Sequence, residues 1–240
     1  MNTEHIQALT IILIVIVALL YRMTFRKRGG YGAGVDATCL ETSSDLSIMP
    51  LDEVLKLAEG GDLQARLEVA ERYATGDDID DSSSIQSTEK ALYWVSKAVG
   101  DGGEQINDAK VQEKISDIYW DCGQYSQALT YLLKASEANL PSAQCTLGMI
   151  YLGEEGRSGI EPDNEKAFYW IRKSAENNYS FAYFHLGEMY YNGIGTEKDY
   201  HKASDWYVKA LRFDADTPDR YKEVAKARLD EMLESLPDIM

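Results

Sequence analysis

The chain has 240 residues, with 24 lysines and arginines against 40 aspartates and glutamates; the net charge of −16 excludes an electrostatic binder of nucleic acid. The acid is uneven, because residues 1–28 carry +3 and residues 29–240 carry −19. With 45% hydrophobic residues, 10% aromatics and only five prolines, the long acidic part can form a packed core and is not disordered by composition.

At the N-terminus, residues 6–21 read IQALTIILIVIVALLY, broken only by Gln7 and Thr10. As a helix this run spans about 24 Å against a hydrocarbon core of about 30 Å. The shortfall closes if Met23 and Phe25 also enter the bilayer and Arg22 snorkels. Glu4 and His5, with no lysine or arginine ahead of the run and no small-residue cleavage site after it, argue against a cleaved signal peptide. Residues 1–28 are therefore expected to be a single transmembrane anchor with a basic flank. Arg22, Arg26, Lys27 and Arg28 follow the span, which predicts a single-pass inner (cell) membrane protein with its C-terminal body in the cytoplasm. Residues 29–49 are rich in Gly and Ser and read as a flexible linker. Within them Gly30, Gly32 and Gly34 mimic a nucleotide loop but follow no strand.

From residue 50 the chain repeats itself. KALYWVSKA from Lys90, QALTYLLKA from Gln127, KAFYWIRKSA from Lys166 and KASDWYVKA from Lys202 align without gaps. Ala91, Ala128, Ala167 and Ala203 fill one column, Trp94, Tyr131, Trp170 and Trp206 the column three later, and Lys97, Lys134, Lys173 and Lys209 the next. Small and aromatic residues at i, i+3 and i+7 mark one face of a helix. Ser87, Gln124, Asp163 and Asp199 stand four residues before each alanine, and three of these are good N-caps. A second set of helices precedes these blocks. In it Ala65, Val111, Ala143 and Ala182 lie eight residues before Tyr73, Tyr119, Tyr151 and Tyr190, with Leu67, Ile115, Leu147 and Leu186 between. Gly76, Gly123, Gly153 and Gly193 then end or bend the chain. The unit is helix–turn–helix, of about 36 to 39 residues, and stacked units make an α-solenoid.

Residues 143–175 and 182–210 resemble the SEL-1-like repeat, a branch of the tetratricopeptide repeats with a Gly-rich turn. Leu147–Gly148, Tyr151, Gly153, Gly156, Asp163, Lys166–Ala167 and Trp170 carry the resemblance in one copy. In the other it is carried by Leu186–Gly187, Tyr190, Gly193, Gly195, Asp199, Lys202–Ala203, Trp206–Tyr207 and Lys209–Ala210. The first two copies depart from the pattern, with a short turn after Tyr119 and a long acidic one after Tyr73. The expected fold is all-α: about four repeats over residues 50–218, a leading amphipathic helix in residues 50–60, and a C-terminal capping helix and tail in residues 219–240. The resemblance implies an adaptor or assembly role, as such repeats serve in bacterial envelope and signalling complexes.

Chemistry is sparse. In residues 78–89, Asp78, Asp80, Ser82, Ser84, Ile85 and Glu89 follow calcium-loop spacing, but Ser83 replaces the glycine that the loop's sharp turn needs, and a solvated acidic loop is the simpler reading. His5, His185 and His201 are scattered, and Cys39, Cys122 and Cys145 form neither a disulfide framework nor a metal pair. No catalytic or metal-binding motif occurs, so no cofactor is expected. Tyr73, Trp94, Tyr119, Tyr131, Tyr151, Trp170, Tyr190 and Trp206 are expected to pack repeat on repeat. Trp120, Tyr183, Tyr191 and Tyr207 are expected to line a concave face that holds a protein or peptide, favouring a basic one. The function expected is a non-enzymatic, membrane-tethered scaffold. The alternatives are an extracytoplasmic binder and a regulatory subunit of an enzyme.

Overall fold

Alanine and aromatic columns at helical spacing dictate short helices laid back to back in pairs. The computed structural model describes residues 46–76, 87–153, 160–212 and 218–235, and all regular structure among them is helical. A leading helix, α1 (Leu51–Glu59), is followed by four pairs: α2 (Leu63–Thr75) with α3 (Thr88–Asp101), α4 (Ala109–Asp121) with α5 (Tyr125–Glu137), α6 (Pro141–Tyr151) with α7 (Asn164–Glu176), and α8 (Ser180–Asn192) with α9 (Tyr200–Arg212). The last helix, α10 (Asp219–Ser235), stands without a following partner among the described residues. Contacts run mainly between partners within a pair and between each pair and the next. The described residues therefore form the expected all-α solenoid.

The membrane assignment is corrected. The described α-helices run from 9 to 17 residues, and none is long and apolar enough to cross a membrane, which needs about 20 apolar residues. Residues 6–21, which carried that expectation, lie outside the described residues. The single-pass inner-membrane localisation drawn from them is therefore not upheld.

One closure recurs in every pair. The backbone N–H of Ser87, Gln124, Asp163 and Asp199 donates to the carbonyl of Tyr73, Tyr119, Tyr151 and Tyr190, at 2.9, 2.8, 2.8 and 2.9 Å respectively. Three of the four residues then cap the second helix through their side chains, which accept from the amides of Lys90, Lys166 and Lys202. Those same lysines lie over the rings of Tyr73, Tyr151 and Tyr190 at 4.9 to 5.3 Å. In the second pair Gln124 makes no side-chain cap and Gln127 replaces the lysine. There Tyr119 stacks on Tyr131 instead, with centroids 5.8 Å apart.

The two helices of a pair cross where residues are small. Three before each tyrosine stand Ala70, Ser116, Gly148 and Gly187, all buried. A Cβ on Gly148 would lie 2.5 Å from Ile171 Cγ1, and one on Gly187 would lie 2.7 Å from the ring of Tyr207. At Ser116 the hydroxyl uses the close approach, donating to the Ala128 carbonyl at 2.9 Å.

The N-terminal end is held by buried arginines. Arg72 donates to the carbonyls of Met49 and Leu46 and to Glu68, and Arg66 donates to the Ala58 carbonyl and to Asp101.

Gly187→Ala is expected to cost about 1 to 3 kcal/mol through overpacking despite its better helix propensity. Exposed Gly100, with nothing within 4 Å of a Cβ, should gain up to about 0.5–1 kcal/mol on replacement by alanine. Urea denaturation of the two variants should give opposite signs. Arg72→Met leaves Glu68 with Lys114 alone and strands the Met49 and Leu46 carbonyls, and should cost about 2 to 4 kcal/mol. Hydrogen exchange should then speed up across residues 46–58.

Candidate functional site

The first helix α2 packs on the first helix α4, and side-chain links join Glu113 of α4 to Ser142 of α6 and Glu188 of α8 to Arg228 of α10, whereas no such close pairing of successive second helices is seen among the described residues. This places the first helices on the inner, concave side. Counted back from the closing tyrosine of each first helix, the residue two before is Glu71 in α2, Asp117 in α4, Met149 in α6 and Glu188 in α8. Five before stand Glu68, Lys114, Thr146 and His185. Helix α10 keeps the same register. Buried Ala225 takes the place of Ala65, Val111, Ala143 and Ala182, so that Arg228 and Glu231 continue the two polar columns. Ion pairs confirm it: Lys114 Nζ meets Glu71 at 2.8 Å, and Arg228 Nε meets Glu188 at 3.5 Å, each joining one first helix to the next.

The columns are acidic at the α2–α4 end. Asp117 faces Glu113, Asp121 and Glu71, with Lys114 the opposing cation. Its side chain stays open to the solvent of the groove. The surrounding protein wall first, and these carboxylates second, push its carboxyl up to about 8. Glu113 is raised too, chiefly by burial, although a hydrogen bond from Ser142 of α6 opposes the shift. Lys114 is held above the usual lysine range: desolvation works against its charge, but Glu71 and Glu68 outweigh it. Glu68 is itself divided between Lys114 at 3.2 Å and Arg72 at 2.9 Å. Carboxyl groups therefore crowd around Asp117, which relieves the repulsion by holding a proton.

The α8–α10 end is aromatic. Phe184 stacks on Tyr221 with centroids 4.5 Å apart, and His185 lies edge-on to both at 5.4 and 5.2 Å. Burial, reinforced by nearby Arg220, pushes the His185 imidazole down to about 4 and keeps it neutral. A cleft of about 650 Å³ opens here, with Leu152, Met189, Ile194 and Val224 among its walls. Glu188 at its side accepts from the Tyr207 hydroxyl and from Asn192.

The residues singled out from the sequence are dispersed. Tyr183 and Tyr207 are interior, 1% and 0% exposed, with Tyr183 against Trp206 and the Tyr207 hydroxyl, pushed far up by burial and Glu188, turned to that carboxylate. Tyr191 is half-buried between Tyr200 and Arg228, and Trp120 is half-buried against Tyr125. The structure does not bring the four onto one surface. Tyr73, Trp94, Trp170 and Tyr190 are buried, while Tyr119, Tyr131, Tyr151 and Trp206 are half-buried. Lys97, Lys134, Lys173 and Lys209 lie over Trp94, Tyr131, Trp170 and Trp206 at 4.1 to 5.3 Å, so the lysine column covers the aromatic one.

Sequence reasoning missed the carboxylates of the concave columns, although the tyrosine register that locates them was in hand. Among the described residues no cluster of His, Cys, Asp or Glu could hold a metal, and residues 77–86, most of the calcium-like spacing, lie outside them. Cys122 and Cys145 are buried, and burial with nearby Asp121 pushes the Cys122 thiol up to about 11.

The Sel1 repeat model matches residues 63–102, 123–140, 141–179 and 180–212, more than half of the chain. Among solved structures, a protective antigen of uropathogenic Escherichia coli displaying an SLR fold is 27% identical with a TM-score of 0.53, over 68% of this chain and 33% of its own. A Sel1 repeat protein of Oxalobacter formigenes is also 27% identical with a TM-score of 0.53, over 76% and 48%. Among curated proteins, an F-box protein of Arabidopsis thaliana is 34% identical over 77 residues, and chitin synthase regulatory factor 3 of Schizosaccharomyces pombe is 31% identical over 87. The matches cover 32% and 36% of this chain but only 20% and 9% of those two proteins, and a plant and a yeast among the relatives leave no bacterial source implied. With the repeat matched over most of the solenoid and the same fold in its solved relatives, the chain belongs to the Sel1 repeat family, whose members mediate protein–protein interaction.

Proposed function

We propose that this chain is a non-enzymatic interaction module whose concave face holds a basic segment of a partner protein. The observation that carries the reading is Asp117, whose carboxyl faces Glu113, Asp121 and Glu71 together, while Lys114 is engaged by Glu68 and Glu71. Carboxylates crowded on one concave wall repel one another, and a lysine or arginine from a partner relieves that repulsion. Side-chain pockets along such a face give an extended segment its register. Tyr191 and Trp120, each with ring surface left open, supply contacts beside the carboxylate columns. Tyr183 and Tyr207 support the wall from behind.

A labelled lysine-rich peptide of about ten residues should bind the chain at low salt, and a glutamate-rich peptide of equal length should not. Raising the salt from about 0.05 to about 0.5 M should weaken binding roughly tenfold, as the Debye length falls below the spacing of the charges. The pair Glu113→Lys with Asp117→Lys should abolish binding with the helical circular dichroism unchanged. Failure of the lysine-rich peptide to bind at low salt would overturn the proposal.

The same site gives a pH signature. Asp117 is protonated below about 8, so its charge, and with it the attraction for a cation, appears as pH rises through that value. Lysines of the peptide remain charged over this range. Affinity for the peptide should therefore increase from about pH 6.5 to about pH 9, with release of a proton on binding below pH 8. Asp117→Asn should bind more weakly at high pH and lose most of the dependence. A profile that is flat in the unaltered chain would remove Asp117 from the site.

A further inference from the structure

The concave columns end at α8 and α10 in a cleft with a different chemistry. His185 Nε2 is buried there and meets no hydrogen-bond partner among the described residues, although the imidazole is only 6% exposed and belongs to the lining of the cleft. A buried polar nitrogen without a partner has lost its hydration and gained nothing in return. The Phe184–Tyr221 stack and the aliphatic groups of Leu152, Met189, Ile194 and Val224 surround it with surface that favours a ring.

We propose that this cleft is an anchor pocket for one aromatic side chain with a polar tip, of the tryptophan or tyrosine class, whose N–H or O–H group pairs with His185 Nε2. The proposal rests on the concave-face reading, in that the anchor belongs to the same partner segment. The volume of about 650 Å³ lies in the ordinary range of ligand pockets and accommodates an indole. Other occupants fit less well. An aliphatic side chain would match the walls and leave the nitrogen unpaired. A lysine would need Glu188, but that carboxylate already accepts from Tyr207 and Asn192 and pairs with Arg228. A neutral imidazole offers no countercharge to an ion, whereas it both donates and accepts hydrogen bonds.

Position also favours one continuous ligand. His185 occupies the column of Lys114 two repeats further on. At about 10 Å per packed helix the two sites are on the order of 20 Å apart, a span of about six extended residues. The implied partner motif is a basic residue separated from a tryptophan or tyrosine by about that number.

The test uses N-acetyl-tryptophanamide as the probe and N-acetyl-leucinamide as the control, with the ring nitrogens of the chain's histidines followed by NMR. The tryptophan probe should shift the Nε2 signal of His185, and the leucine probe should not. Val224→Arg, at the half-open rim and outside the buried core, should remove the shift about tenfold or more with helical content and thermal midpoint retained. His185→Phe should leave weak, tip-insensitive binding of both probes. Asp117→Asn should leave the shift unchanged, which separates the pocket from the acidic groove. The pocket is overturned if the tryptophan probe leaves His185 unmoved, or if the leucine probe moves it equally, even where the lysine-rich peptide binds. If the probe moves His185 and the lysine-rich peptide fails, the pocket stands and the concave-face reading falls.

Discussion

The hydrogen bond from the amide that opens each second helix to the carbonyl of the tyrosine that closes the first fixes the hairpin in all four repeats. Between those two residues the chain takes 14, 5, 12 and 9 residue steps, yet the bond length stays within 0.1 Å. The turn is thus free to vary while the crossing of the helices is not, because loop length costs little once the ends are pinned. The small residue three before the tyrosine then sets how closely the two helices approach. With both points fixed, each first helix presents the same two positions to the concave side, and Lys114, Asp117, His185 and Glu188 are choices of residue at those positions.

This explains which parts could be read from the sequence. Alanine, tyrosine and tryptophan columns are tied to packing, and their spacing revealed the repeat, the helix starts at Ser87, Asp163 and Asp199, and the fold. Concave positions are not tied to the helix crossing in that way, so their columns are mixed: Glu71, Asp117, Met149 and Glu188 form a column only once the tyrosine register is applied to the polar positions. Two of the aromatics expected on the concave face, Tyr183 and Tyr207, are interior for a physical reason. In Tyr207 the ring fills the space left by Gly187, and in Tyr183 it backs Trp206, so both serve the helix crossing. The capping helix, too, proved to be more than a lid, since Ala225, Arg228 and Glu231 keep the register of a first helix. That was hidden because α10 carries Leu233 where the other first helices have tyrosine.

The lysines illustrate how one residue type can serve two roles. Lys97, Lys134, Lys173 and Lys209 lie over the aromatic column of the second helices, so a considerable part of the chain's limited positive charge is spent covering rings on the outer side. Lys90, Lys166 and Lys202 are likewise committed to tyrosines and caps. The concave side keeps its carboxylates with few cations to neutralise them. A net charge of −16 therefore understates the local field facing a ligand.

The two ends of the solenoid are joined by different forces. At the α2–α4 end Arg72, Glu68, Lys114 and Glu71 form a chain of ion pairs, two of its members buried; at the α8–α10 end Phe184, His185 and Tyr221 form a stack of rings. Ion pairs respond to salt, and their desolvation cost shrinks on heating, whereas ring burial carries the heat-capacity change and weakens in the cold. In a linear array, where each unit leans only on its neighbours, the two ends need not open together. High salt would loosen the α2–α4 end first and cold the α8–α10 end, so solution conditions alone can select which stretch of the groove a ligand finds ordered.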